Sequence, residues 1–278
     1  MKARIFGILA CLSLFVSCGT AAWTTADWHK IPADGHRTGV TAPVAGAEME
    51  ALGVSNGKFY SSPGGKVFVG GATPQVAQIL FSTQEEMADL KTVVGHSREG
   101  MSAYGPESPL SNWTVDVLME EAAKLTGKKI DVGITNFGGI RTSIPQGEIL
   151  KDDLVSMFPF KNYVTVVALR GSRLREIFQQ MASTSVQCVG GAKLTIKDHQ
   201  LESALVGGKP IDDNALYNVA TVDFLLNGGD KYFLGDGAEK VEITKALVID
   251  VMLPRVIAAE AAGKTIDYQT DGRIVIIK

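Results

Sequence analysis

Cysteine, histidine and net charge are all scarce in this chain, and each shortage removes a class of function. The three cysteines are Cys11, Cys18 and Cys188. The first two lie in or beside an N-terminal apolar segment, so the rest of the chain has no pair from which to build a disulfide framework. Cys188, in the apolar flank Val186 to Val189, has no adjacent positive charge to activate it and reads as a buried structural thiol. The four histidines, His29, His36, His96 and His199, are isolated from one another. No HExxH motif occurs, and the ligand set of a dinuclear metal site is not visible. Lysine plus arginine number 27 against 30 acids, a net charge of −3, which excludes a strongly basic nucleic-acid binder. There is no Walker A loop and no dinucleotide fingerprint. Gly95-His96-Ser97-Arg98-Glu99 fails as a nucleophile elbow, because Glu99 stands where glycine is required. No apolar run reaches the about 20 residues of a membrane span, so the mature body is expected to be soluble.

What remains is an ordinary globular composition. The 278 residues are 45% apolar, enough to bury a core. Glycine, at 30 residues, exceeds the about 7% usual in globular proteins and announces many tight turns or backbone-lined sites. The start of the chain reads as an export signal: positive charge in Met1 to Arg4, a short apolar stretch Ile5 to Val16, then small residues. Phe15-Val16-Ser17-Cys18 resembles a bacterial lipobox, in which the cysteine becomes the lipid-modified first mature residue. Cleavage in the small-residue patch at Ala21 and Ala22 is the alternative. Residues 1–17 are thus expected to be a lipoprotein-type signal peptide, and the product an exported periplasmic or envelope lipoprotein held to a membrane only through Cys18.

Residues 18–72 read as an irregular arm. Pro32, Pro43 and Pro63 interrupt it, and the turns Asn56-Gly57 and Pro63-Gly64-Gly65 bracket a hairpin of Lys58 to Tyr60 with Lys66 to Val69. The main domain is expected over 73–278. Its helices are predicted from Thr73 through Val76, Ile79, Leu80, Met87 and Leu90, over Asn112 to Leu125 with a stop at Gly127, from a Ser172 cap to Met181, and over Lys245 to Ala262 with an interruption or kink near Pro254. Strands are predicted at Ile130 to Thr135, Tyr163 to Leu169, Lys193 to Lys197, Leu216 to Val222 and Arg273 to Ile277. Helices and strands mix without strict alternation, which predicts an α+β fold: a mixed sheet packed with helices.

Three segments can carry chemistry. Asn136-Phe137-Gly138-Gly139-Ile140-Arg141 follows a strand; its glycines let backbone approach a ligand, and Arg141 can hold a phosphate or carboxylate bidentately. Met157-Phe158-Pro159-Phe160 is a proline-positioned turn presenting an aromatic ring. Phe224-Leu225-Leu226-Asn227-Gly228-Gly229-Asp230 ends a strand with another ring and an acid. Each alone reads as an ordinary turn or core residue. Together, two aromatics can clamp a planar base, each face giving roughly 1–3 kcal/mol, and the acid can accept hydrogen bonds from ribose hydroxyls.

The order of Asn136 to Arg141, Gly147-Glu148-Ile149, Phe158-Pro159-Phe160, Leu169-Arg170-Gly171 and Phe224 to Asp230 resembles the C-terminal domain of the 5'-nucleotidases, a family that includes ecto-5'-nucleotidase and the periplasmic UDP-sugar hydrolase. Pro106 to Asn112 is similar to the segment opening that domain's first long helix, and the resemblance covers about 73–278. It implies that Phe160 and Phe224 sandwich a nucleobase, Asn136 contacts the base, Arg141 lies near ribose and phosphate, and Asp230 binds the ribose hydroxyls. Gly138, Gly139, Asn227, Gly228 and Gly229 shape the turns around them.

Departures from the family pattern matter as well. Phe137 stands where a third glycine is usual, so either the backbone differs there or the ring lines the pocket. No phosphate-contacting arginine is found near Pro106; Arg98 is the nearest substitute. The family's metallophosphatase domain, with its two metals and catalytic histidine, has no counterpart in residues 23–72. The chain alone is therefore expected to recognise a nucleotide or nucleoside without hydrolysing it. No cofactor is assigned to it, and divalent metals such as Zn or Mn are expected on a separate metallophosphatase chain in nucleotide catabolism. A stand-alone nucleoside-binding lipoprotein is the alternative.

Overall fold

The computed structural model describes residues 38–277 except 42, 44 and 45. The expected signal peptide, Cys18, His29, His36 and the first half of the arm lie outside the described residues. The described residues form two compact units, one including Ala47–Phe81 and the other including Gly46 and the residues from Ser82 onward.

The first unit comprises α1 (Glu48–Leu52), β1 (Val54–Ser55), β2 (Phe59–Ser61), β3 (Val67–Val69) and α2 (Ala72–Ser82), with the strands in an antiparallel sheet ordered β1-β2-β3. The hairpin forms in the register Phe59 to Val69. Its turn closes with the Ser62 N–H donating to the Lys66 carbonyl at 2.9 Å, and the preceding Asn56-Gly57 turn, between β1 and β2, is held by Asn56 Oδ1, which accepts from the backbone N–H of Lys58 and Phe59 at 3.0 and 2.9 Å. In α2 the buried residues are Pro74 and Ala77, whereas Val76, Ile79 and Leu80, expected on the apolar face, are exposed, and the helix ends at Ser82 rather than running on through Met87 and Leu90.

The second unit runs β4 (Val93–Ser97), α3 (Pro109–Thr126), β5 (Val132–Thr135), β6 (Gly147–Leu150), α4 (Lys151–Met157), β7 (Tyr163–Arg170), α5 (Gly171–Ser183), β8 (Cys188–Gly190), β9 (Ala192–Lys197), β10 (Gln200–Val206), β11 (Lys209–Pro210), β12 (Leu216–Val222), β13 (Lys240–Leu247), α6 (Val248–Ala261) and β14 (Ile274–Ile277). Its main sheet has the order β13-β7-β12-β5-β8, with β12 and β5 parallel and the other neighbours antiparallel. A four-stranded sheet, β11-β10-β9-β14, and the β4-β6 pair complete the α+β architecture.

Every residue from Val164 to Ala168 of β7 is buried, as befits a central strand covered on both faces. Residues Leu174, Ile177, Phe178 and Met181 give α5 its buried stripe at three and four spacing. Each such side chain contributes about 1.5–3 kcal/mol by leaving water. Helix α3 lies close over β5 and β8 because Gly133 and Gly190 are direct cross-strand partners. A Cβ on Gly133 would stand 2.7 Å from Val115 and one on Gly190 2.7 Å from the Met119 sulfur, so the paired glycines form the seat for the helix.

Three local expectations change. Residues 245–247 are not helical: the alternating pattern of Val241, Ile243 and Lys245 belongs to the edge strand β13, and α6 starts where Asp250 Oδ2 accepts the Leu247 N–H at 2.9 Å. Ser172 does not cap α5. The helix begins at Gly171, where a Cβ would meet the Asp212 carbonyl oxygen at 2.0 Å. At α3 the start lies three residues before the expected Asn112, because Ser108 and Ser111 cap each other and Pro109 occupies the first turn.

Candidate functional site

Strand pairing places three chain segments at one edge of the main sheet. In the parallel pair, Val219 of β12 lies opposite Val132 of β5; in the antiparallel pair, Val222 of β12 lies opposite Val164 of β7. The C-terminal ends of β5 and β12 therefore meet the N-terminal end of β7. Asn136 leaves β5 there, Phe160 precedes β7, and Phe224 follows β12 on a single 3₁₀ turn, Asp223–Leu225. Phe160 and Phe224 keep nearly half of their surface exposed, at 47% and 45%, whereas Phe158 is buried. Large apolar rings left half in water at a sheet edge are available for contact.

Asn136 is the polar centre. It is buried, and its Nδ2 donates to Asp230 Oδ2 at 2.7 Å. The acid thereby assigns the amide its orientation, leaving Oδ1 as an acceptor that is buried without a hydrogen-bond partner among the described residues. Thr114 Oγ1 is unsatisfied in the same way, and both residues line a cavity of about 20 Å³. That is room for one water molecule and far too little for a base. A planar ligand at this edge does not fit within the cavity, which Phe160 lines and Phe224 does not.

The glycines explain how close these groups come. A Cβ on Gly139 would stand 2.9 Å from Asn136 Oδ1. One on Gly229 would stand 2.2 Å from the Phe224 carbonyl oxygen and 2.6 Å from its ring, so the turn and the ring share a space that only glycine leaves open. Gly228 adopts φ 103°, and Asp230 and Lys231 follow in the left-handed region at φ 48° and 67°. The turn is braced from α5 and the residues just after it: Gln180 Nε2 donates to the Lys231 carbonyl at 2.8 Å, and Tyr232 Oη donates to the Ser185 carbonyl at 2.8 Å. Burial pushes the Tyr232 hydroxyl up, with Asp230 adding to the rise.

Arg141 is exposed, with Nη1 donating to the Gly138 carbonyl at 3.2 Å and its Cζ 5.9 Å from the Phe160 ring centroid, within cation–π range. The Asn227 side chain is exposed and makes no hydrogen bond among the described residues. Phe137 does not adopt a left-handed φ. Its N–H donates to Gln187 Oε1 at 3.1 Å and its ring packs on the core, so a glycine is not required there. Of the two alternatives, the ring is not among the residues lining the Asn136 cavity. Arg98 is not brought to this edge by any contact: its Nη1 pairs with Asp267 Oδ2 at 2.7 Å.

Three residues tie the edge together without any mark in the sequence. Asp223, Gln187 and Gln180 each bond a segment 50 or more residues away, and no local motif encodes such pairings. Among the described residues no group of three or more His, Cys, Asp or Glu is clustered so as to hold a metal ion, and no helix is long and apolar enough to cross a membrane. Cys188 is buried, and desolvation pushes its thiol far up, in line with a structural role.

Comparison with known proteins places this arrangement. The chain is 26% identical over 210 residues to an apyrase of Tabanus yao, covering 64% of this chain and 38% of the apyrase. It is 29% identical over 115 residues to a 5'-nucleotidase of Vibrio cholerae, covering 40% and 21%. It thus spans less than half the length of these relatives. The structure superposes on a 5'-nucleotidase precursor from Thermus thermophilus with a TM-score of 0.64 at 21% identity, covering 73% of this chain and 43% of that one, a likeness of fold. Residues 91–235, just over half of the chain and including Asn136, Phe160, Phe224 and Asp230, match the family described as 5'-nucleotidase, C-terminal domain. By that match the chain belongs to the 5'-nucleotidase C-terminal domain family.

Proposed function

We propose that this chain is the recognition half of a nucleotide hydrolase: it binds a nucleoside or nucleotide with the base between Phe160 and Phe224, the ribose hydroxyls at Asp230, and Arg141 toward the ribose and phosphate. One observation carries the reading. The Asn136 to Asp230 hydrogen bond, 2.7 Å across 94 residues of sequence, joins the Gly-Gly turn after β5 to the Gly-Gly-Asp turn after β12, with Phe160 exposed before β7 and Phe224 exposed after β12. Asp230 uses one carboxylate oxygen on Asn136 and keeps the other for a ligand hydroxyl. The two rings offer stacking that every base can use, so the site discriminates by sugar and amide contacts more than by base identity.

The described residues offer no donor set for the divalent metals of a phosphatase. A separate metallophosphatase chain supplies those metals in this reading, which also takes 73–278 as the recognition domain and Cys18 as a lipid anchor at the cell envelope. Calorimetry of the purified chain against adenosine, AMP and UDP-glucose, with and without such a phosphatase, tests it. Binding by the parent and a roughly 5- to 150-fold loss in Phe224→Ala, the equivalent of about 1–3 kcal/mol of stacking, is expected. Equal affinity in mutant and parent removes the clamp. Cys18→Ser is expected to abolish membrane fractionation; unchanged fractionation removes the anchor.

A further inference from the structure

We infer that Asp223 is a positioning residue that sets the spacing of the two aromatic rings. The inference rests on the reading of Phe160 and Phe224 as a base clamp. In the β7 and β12 ladder the last backbone pair is Val164 with Val222, so Tyr163 and Asp223 face each other at the next rung. There the ladder changes character. Asp223 Oδ1 takes the place of a backbone carbonyl and accepts the Tyr163 N–H at 2.9 Å. The same oxygen accepts the Phe224 N–H at 3.0 Å, and the Asp223 carbonyl accepts the Leu226 N–H at 3.0 Å. The side chain thus frees the backbone of Asp223 to turn into the 3₁₀ segment that carries Phe224.

One carboxylate oxygen therefore holds two loops. On one side, Phe160 lies three residues before the anchored Tyr163. On the other, Phe224 is itself anchored. Hydrogen bonds from N–H groups to a carboxylate are short and directional, so the distance between the two backbones is fixed at Phe224 itself and at Tyr163, three residues after Phe160. Neither ring has enough packing of its own to fix it, since each is nearly half exposed. Preorganisation of this kind lowers the ordering cost of binding. The chemistry requires an acceptor, not a charge: an asparagine Oδ1 at the same place can accept both N–H groups, whereas alanine can accept neither.

The test compares Asp223→Asn and Asp223→Ala with the parent in the full chain, by calorimetry against adenosine and by residue-resolved amide exchange. Asp223→Ala is expected to weaken adenosine at least tenfold and Asp223→Asn to stay within about threefold. In a Phe224→Ala background the factor for Asp223→Ala should shrink by threefold or more, because the residue acts through the ring. Without ligand, the Tyr163 and Phe224 amides should exchange at least tenfold faster in Asp223→Ala and at the parent rate in Asp223→Asn. Unchanged exchange at both amides, failure of asparagine to rescue, or an undiminished factor in the Phe224→Ala background overturns the inference. If the parent itself does not bind adenosine, AMP or UDP-glucose, the proposed function falls, while amide exchange still decides whether Asp223 holds the two loops together.

Discussion

Lys231→Gly should make this protein more stable, and the reason lies in the turn that carries Asp230. Lys231 sits at φ 67°, directly after Asp230 at φ 48°. A left-handed conformation costs an ordinary side chain about 1–2 kcal/mol through the contact of Cβ with the following carbonyl oxygen, and Asp tolerates it better than Lys. The Lys231 side chain is exposed and makes no hydrogen bond or ion pair among the described residues. What holds the position is backbone: Lys231 N–H to the Gly228 carbonyl at 3.0 Å, and Gln180 to the Lys231 carbonyl at 2.8 Å. Glycine keeps both bonds and removes the strain. Its greater freedom in the unfolded chain takes back about 0.4–1 kcal/mol. The net gain is about 0.5–1 kcal/mol, which raises Tm by roughly 1–4 °C in a chain of this size. Thermal unfolding of parent, Lys231→Gly and Lys231→Ala measures it. Alanine removes the charge and keeps the Cβ, so it should not gain. A Tm for Lys231→Gly at or below the parent value, or an equal rise in Lys231→Ala, would refute the strain argument.

Gly229→Ala has to displace the Phe224 carbonyl and ring, which stand 2.2 and 2.6 Å from the new Cβ; about 1–3 kcal/mol of stability should be lost together with most adenosine binding, and full retention of both would show that the turn can yield. Arg273, with a side chain only 10% exposed, grips Asp116 through Nη1 and Nη2 at 2.8 and 2.9 Å and Asp271 through Nε and Nη2 at 2.9 and 2.8 Å. Arg273→Met should cost about 1–3 kcal/mol by leaving the partly buried Asp116 carboxylate without its cationic partner; an unchanged urea midpoint would contradict this. The His96 pKa is raised by its hydrogen bond to Glu260, 2.9 Å away, with further help from the Glu260 and Glu148 charges. The folded state therefore holds the proton more tightly. The contribution is complete below the ordinary histidine value near about 6.5 and is lost as pH rises through the higher folded value. The Tm difference between parent and His96→Gln should shrink across that window; a difference that grows with pH has the wrong sign.

Much of the fold was legible from residue pattern. Leu216 to Val222 reads as a strand and is one, since its β-branched and aromatic residues leave no competing period. Gly127 stops α3 at φ 67°, as the sequence expects. The readings that shifted did so where a long-range contact outweighed a local signal. Val241 and Ile243 join β7 as an edge strand, and the amphipathic stretch after them supplies helix only from Val248. Ser172 loses its capping role because Gly171 must fit against Asp212. Strands β8 and β10 and the β4-β6 pair are short or half exposed, and periodicity alone does not separate such segments from loop.

The site divides along the same line. Asn136, Arg141, Phe160, Phe224 and Asp230 each stand in a short segment whose glycines and aromatics mark it, so their types and order are visible without a structure. The residues that hold those segments at fixed distances are not. Asp223 reaches Tyr163 across 60 residues, Gln187 reaches Phe137 across 50, and Gln180 reaches Lys231 across 51. A hydrogen bond of this kind depends on where two chain segments meet, and nothing near Asp223 or Gln187 in sequence says that a partner N–H will be there. The rings and the acid can only act together if their separation is maintained while each remains half in water, and exposed groups cannot maintain it by packing. The geometry of this edge is therefore carried by unmarked polar side chains behind it, and substitutions there should alter ligand affinity more than their exposure or chemical type would suggest.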